Sequence, residues 1–190
     1  MVGLTGGIGC GKSTVGNLLE AAGWVRVDAD EVVKSLLNAD QAVGEEVRWA
    51  FGETVFRDGE IDRGRLAKIV FSDAVALKRL EGILHPRVRA VWLMAIRDAV
   101  ARGRSIAVEL PLLFEKNLDQ YFETTLCVEA PRPLQMERIL SRGLRREEAE
   151  RRIAHQLPLD EKVRMSDHII TNSGSLEFVQ TQVTLFSALA

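Results

Sequence analysis

Gly6-Gly-Ile-Gly-Cys-Gly-Lys-Ser13 is the stretch that decides the fold. It satisfies G-x-x-x-x-G-K-[ST] through Gly6, Gly11, Lys12 and Ser13. Glycines let successive backbone N–H groups turn toward one anion, and a following helix adds the positive end of its dipole. Lys12 is then placed to reach the β/γ-phosphates and the Ser13 hydroxyl to ligate Mg²⁺. The flanks agree with this reading. Val2-Gly-Leu4 reads as an entering strand, and the run from Ser13 to Ala22 reads as a helix. That strand–loop–helix order is the context the motif requires, so the stretch predicts binding of a nucleoside triphosphate.

Working outward, short apolar and β-branched runs mark strands at Trp24–Val27, Ser105–Glu109, Thr124–Val128 and Asp167–Thr171. Helical patterns cover Glu31–Leu37, Gln41–Phe51, Arg63–Phe71, Asp73 to about Arg102, Pro133–Arg142, Arg146–His155 and Ser175–Leu189. A break or bend is expected at His85-Pro86, and Asp58-Gly59 marks a turn or small hairpin. Strands alternating with helices predict an α/β fold: a P-loop NTPase core with a mostly parallel five-stranded sheet. The interval between the second and third strands is too long for a simple crossover and predicts an inserted helical subdomain. The chain is read as a single domain, with a core of about residues 1–30, 103–137 and 156–190, an insertion over about 31–102 and a lid over about 138–155.

Composition bounds the setting. The chain has 190 residues, 46% hydrophobic and 27% charged, with a formal net charge of −2, so no global basic field points to nucleic acid. No apolar run reaches the roughly 20 residues of a membrane span. The P-loop strand begins at once, leaving no room for a signal peptide, and Cys10 and Cys127 offer no disulfide framework. A cytoplasmic protein is expected. A helix N-terminus lowers a thiol pKa, which would make Cys10 redox-sensitive; the plainer reading, a small residue at a variable loop position, is preferred.

Ligands of parallel α/β sheets gather beyond the carboxyl ends of the strands. Asp28 and Asp30, two apart at a strand exit, project to one face if the extended conformation persists. A carboxylate near the γ-phosphate can orient or deprotonate an acceptor hydroxyl, although Asp30 could equally cap a helix beginning at Glu31. Arg138 and Arg142 lie a helical turn apart, where an arginine-bearing segment could neutralise charge during transfer; neighbouring Glu147, Glu148 and Glu150 allow a solvated charged helix instead. His85 is read either as a buried histidine at a helix boundary or as a pocket residue. Asn172 suits an adenine edge or the turn before Gly174.

These landmarks together resemble the dephospho-coenzyme A kinase family. The resemblance takes in Leu4 to Thr14, Asp28-Ala-Asp30, Ile61-Asp-Arg63 with Leu66 and Val70-Phe71, His85-Pro86, and Pro111-Leu-Leu-Phe-Glu115. It continues through Arg138 with Arg142, Gln156, and Asp167 to Asn172. It implies ATP-dependent phosphorylation of the ribose 3′-hydroxyl of dephospho-coenzyme A with Mg²⁺, on a core with substrate-binding helices and a lid. By position it implies Asp30, Lys12 and Arg142 as catalytic residues. Gly9, Cys10, Gly11, Lys12, Ser13, Thr14, Arg138, Arg142 and Asn172 would bind ATP, with Ser13 also on the metal. Thr5, Asp28, Asp30, His85, Pro111 and Leu112 would bind the acceptor. A monomer or weak homo-oligomer is expected, with ATP and dephospho-coenzyme A as partners and neither nucleic acid nor membrane. Two positions depart from the family pattern: Cys10 replaces a more usual serine, and Glu109 stands where aspartate is often found. The rival readings are another P-loop small-metabolite kinase, acting on nucleosides or shikimate-like acceptors, and a nucleotide-binding regulator without an acceptor.

Overall fold

The computed structural model describes residues 1–189. Its centre is a five-stranded sheet, and every pairing in it is parallel. The strands are β1 (Val2–Gly6), β2 (Val25–Asp28), β5 (Ile106–Glu109), β6 (Thr124–Glu129) and β7 (His168–Thr171), in the order β2-β5-β1-β6-β7. The glycine-rich loop therefore leaves the central strand. Chain order reverses on either side of β1, and at such a switch point a crevice opens beyond the carboxyl ends. β1 is buried along its whole length, as a strand covered on both faces must be.

Helix α1 (Lys12–Ala21) begins directly after the loop and buries Val15 and Leu19 one turn apart. These side chains join Val2, Leu4, Trp24, Leu126, Val128, Ile170, Val183 and Phe186 in one core. The rings of Trp24 and Phe186 lie 5.8 Å apart, and Phe186 belongs to α9 (Leu176–Leu189). Between β6 and β7 lie α6 (Arg132–Ser141), α7 (Arg146–Ala154) and α8 (Leu159–Met165), with Leu159 packed against the same core. Met136, Ile139 and Ala149 form a small cluster with Ile8, Leu144 and Ile153, so the arginine-bearing segment has an apolar underside of its own.

The chain divides into two compact units, Met1–Asp28 with residues from Ile96 onward, and Ala29–Ala95. The second unit contains α2 (Ala29–Ala39), α3 (Gln41–Phe51), a hairpin of β3 (Phe56–Arg57) and β4 (Glu60–Ile61), α4 (Arg63–Val70) and most of α5 (Ala74–Ala101). Val43, Val47, Val55, Leu66, Val70, Leu80 and Leu84 make its core. Asp40 and Asp62 cap α3 and α4, accepting from the N–H groups of Val43 and Arg65 at 3.0 and 3.1 Å. Asp58 and Gly59 both take positive φ, 53° and 84°, which is the twist a two-residue hairpin turn demands.

Three local expectations need correction. No break occurs at Pro86: α5 runs through it. Proline costs a helix about 3 kcal/mol, but Ile83, Leu84, Val88 and Trp92 are all buried around it. Each such side chain contributes about 1.5–3 kcal/mol, so packing outweighs the lost bond. Arg87 adds a local support, donating to the Ile83 carbonyl at 2.7 Å while its other nitrogen holds Glu46 at 2.6 Å. Secondly, α2 begins at Ala29, so Asp30 lies inside the first helical turn and does not cap a helix starting at Glu31. Thirdly, the backbone ceases to be extended after Asp28, and the strand-alternation argument for Asp28 and Asp30 fails with it. Helix α8 has no counterpart in the sequence reading, since its seven residues are too few to show a period.

Candidate active site

The loop Gly7–Gly11 is fastened from three directions. Asn172, the first residue after β7, donates from Nδ2 to the Cys10 carbonyl at 2.8 Å. Arg138, near the end of α6, donates to the Gly9 and Cys10 carbonyls at 3.4 Å and to both oxygens of Asn172 at 3.2 Å. Gln156 accepts from the Ile8 N–H at 3.1 Å. With its carbonyls drawn toward Arg138 and Asn172, the loop leaves its remaining amides and the start of α1 to form an anion-binding concavity. Gly11 takes φ 94° at the N-cap, and a Cβ there would overlap Nδ2 of Asn172. Two independent constraints thus require glycine at this position.

Lys12 donates to the Gly6 and Gly7 carbonyls at 3.1 and 3.2 Å, curled over its own loop. Ser13 is exposed at the start of α1 and Thr14 is half-buried. Cys10 is fully buried, and burial pushes its thiol above the ordinary range against the lowering pull of Lys12. Desolvation thus outweighs any activation by the helix N-terminus, in keeping with the plainer reading of Cys10 as a small loop residue. Burial likewise pushes Cys127 up to about 12.

Beside the loop, β5 ends at Glu109, which receives Arg26 Nε at 2.5 Å; the same guanidinium reaches Asp28 at 3.2 Å. Burial raises the carboxyl pKa of Glu109, with the Arg26 hydrogen bond opposing it. The segment after β5 turns sharply. Leu113 and Phe114 are buried, while Pro111 and Leu112 are half-exposed. Lys162 of α8 holds this segment, donating to the Pro111 carbonyl at 2.6 Å and pairing with Glu115 at 2.7 Å. Glu115 also accepts from the Leu157 N–H at 2.9 Å.

The first unit thus brings together the loop residues, Asp28, Pro111, Leu112, Arg138 and Asn172 among those expected. Arg142 follows the last turn of α6 and is exposed. Thr5 is fully buried in β1 with its hydroxyl lacking a hydrogen-bond partner, so it is not presented to solvent. Asp30, exposed, and His85 belong to the second unit. His85 sits mid-helix, exposed, 4.0 Å from Glu81, and is neither buried nor at a helix boundary. Two residues that the sequence reading passed over are Arg26 and Lys162. Arg26 alternates with Asp28 in a strand, a period-2 signal that was available. Lys162 lies among charged neighbours, and nothing local distinguishes it.

Comparison with known proteins places the chain. The sequence model of the dephospho-CoA kinase family (CoaE) matches residues 1–177. The dephospho-CoA kinase of Carboxydothermus hydrogenoformans is 37% identical over 186 residues, spanning 96% of this chain and 90% of that protein. The crystal structure of TT1252 from Thermus thermophilus superposes with a TM-score of 0.84 at 36% identity, covering 100% of this chain and 97% of that one. The dephospho-CoA kinase of Campylobacter jejuni does so with a TM-score of 0.73 at 28% identity, covering 99% and 96%. A match of this extent, on a P-loop leaving the central strand of a parallel sheet, means that the chain belongs to the dephospho-CoA kinase family.

Proposed function

We propose that this protein transfers the γ-phosphoryl group of ATP to the ribose 3′-hydroxyl of dephospho-coenzyme A, giving coenzyme A and ADP. The observation that carries the reading is the length of the family match. Residues 1–177 include not only the P-loop but also Asp28-Ala-Asp30, His85-Pro86, Pro111–Glu115 and Asn172. A bare nucleotide-binding loop requires none of these.

In this reading Gly9, Cys10, Gly11, Lys12, Ser13 and Thr14 hold the triphosphate, and Lys12 leaves its own loop carbonyls for phosphate oxygens. Asp30 orients the acceptor hydroxyl and takes its proton as the new P–O bond forms. Arg142 supplies positive charge as the γ-phosphoryl group moves, in a lid of about residues 138–155. Asp28, His85, Pro111 and Leu112 serve the acceptor, with the helical insertion over about residues 31–102; Thr5, buried in β1, is left out of this set. Asn172 spends Oδ1 on Arg138 and an Nδ2 hydrogen on Cys10, so we assign its part in ATP binding, with that of Arg138, to holding the loop.

The donor chemistry fits a Mg²⁺ ion that arrives with the nucleotide. Glu109 already holds Arg26, and among the described residues no cluster of three or more His, Cys, Asp or Glu side chains forms a metal cage. The Ser13 hydroxyl together with phosphate oxygens is the expected ligand set for such an ion. When bound, it neutralises charge on the β- and γ-oxygens. No helix among the described residues is long and apolar enough to cross a membrane. We place the enzyme in the cytoplasm, working on two small molecules as a monomer or weak homo-oligomer, without nucleic acid or membrane as partner.

A coupled ADP-release assay with dephospho-coenzyme A, adenosine and shikimate as acceptors tests this. ADP release that depends on dephospho-coenzyme A is expected. ATP turnover indifferent to all three acceptors would instead favour a nucleotide-binding regulator.

A further inference from the structure

Asp28 of β2 stands opposite Glu109 of β5 in parallel register. Such partners project from one face of a sheet, and Arg26, two residues before Asp28, projects from that face as well. Helix α1 packs over these two strands. Beneath it two carboxylates share one guanidinium, Arg26 reaching Glu109 at 2.5 Å and Asp28 at 3.2 Å. The side chains of Arg26, Asp28 and Glu109 are only 11%, 10% and 3% exposed. Side chains this buried hold one geometry, unlike the loose pairs of a protein surface.

Gly16 shows that the arrangement has shaped its surroundings. It lies in the interior of α1, where glycine weakens a helix relative to alanine. A Cβ at this position would overlap Glu109 Oε1 and stand 2.6 Å from Arg26 Nε. The helix thus gives up a side chain at the point where it crosses the ion pair. Glu109, the longer carboxylate, fills that space and carries Arg26 toward Asp28.

We propose that Arg26 is a positioning residue for the acceptor side of the site: seated by Glu109 beneath Gly16, it fixes the carboxylate of Asp28 at the carboxyl end of β2. This rests on the reading of Asp28 as an acceptor-binding residue. Arg26 acts through Asp28 and does not itself touch the acceptor. A carboxylate has about four acceptor positions, and the Arg26 bond takes one while setting the plane of the group.

The test compares Arg26→Met, Arg26→Lys, Asp28→Asn and the Arg26→Met/Asp28→Asn pair by steady-state kinetics and thermal unfolding of the full chain. Arg26→Met is expected to raise KM for dephospho-coenzyme A about tenfold, the scale of one charge-assisted hydrogen bond. KM for ATP should move less than about twofold on the same reasoning. In acceptor KM the pair should be no worse than Asp28→Asn alone, because Arg26 acts on the acceptor only through Asp28. Arg26→Lys keeps the charge, loses the forked geometry, and should raise the acceptor KM even if Arg26→Met fails to fold. Unchanged acceptor KM in the arginine variants, with Asp28→Asn impaired, overturns the positioning role alone. An unimpaired Asp28→Asn overturns the acceptor-side reading of Asp28 beneath it. Gly16→Ala should lower the melting temperature in the natural chain and raise it in a Glu109→Asp background; a rise in both would show that the ion pair does not occupy that space.

Discussion

The ammonium of Lys162 lies 2.7 Å from the carboxylate of Glu115, and the lysine side chain is entirely buried. The pair knots three segments: Lys162 also holds the Pro111 carbonyl, and Glu115 also holds the Leu157 N–H. Glu115 Oε2 is buried without a hydrogen-bond partner, so removal of the lysine would strand an anion. Lys162→Met is therefore expected to cost about 3–5 kcal/mol of stability, and Lys162→Met with Glu115→Leu to recover most of it. Urea unfolding of the two variants decides. Equal losses in both would mean that the bond to Pro111, and not the charge pair, carries the contribution.

Asp30→Asn should lower kcat by roughly 10²–10⁴-fold, the usual scale for losing a general base. ATP affinity should change little. A loss under about tenfold removes Asp30 from that role.

Arg138 and Arg142 should separate kinetically, because only Arg138 is tied to the loop. Arg138→Ala removes the side-chain donor from the Gly9 carbonyl and leaves the Cys10 carbonyl to Asn172 alone, and is expected to weaken ATP binding, seen as a raised Kd in nucleotide titration. Arg142→Ala should depress kcat more than ATP affinity. The reverse pattern would make Arg142 a ground-state binding residue.

Asp167 is exposed yet accepts from both the N–H and the hydroxyl of Thr125 at 2.8 Å, which holds its carboxyl below the ordinary range. A lowered folded-state pKa contributes stability above the unfolded value, near 3.9, and loses it as pH falls through the folded value. Asp167→Asn should therefore destabilise by about 1 kcal/mol at pH 7. The difference should shrink as the pH is lowered below about 4. A difference that stays constant with pH would assign the effect to the geometry of the Thr125 contact rather than to its charge.

Much of the architecture was readable because its signals are local. The short apolar and β-branched runs around residues 3, 26, 107, 126 and 169 became β1, β2, β5, β6 and β7. The P-loop announced its strand and helix, and Asp58-Gly59 announced its hairpin. Errors arose where a local rule met packing. Proline at 86 should end a helix by backbone chemistry, but the apolar side chains on both sides of it are buried, and the helix continues. Asp28-Ala-Asp30 reads as one extended tripeptide, but the backbone changes state between Asp28 and Ala29.

The sequence by itself determined that a phosphate loop would leave one strand of a parallel sheet, because glycine φ freedom, helix dipoles and the β preference of short apolar, β-branched runs act over a few residues. Only the tertiary structure decided what holds that loop and its neighbours. Asn172 meets Cys10 across 162 positions, Arg26 meets Glu109 across 83, and Lys162 meets Pro111 across 51. Side chains so distant in sequence share no local period. Their partners are set by strand order and by which face of the sheet a helix covers, and burial then makes each bond obligatory.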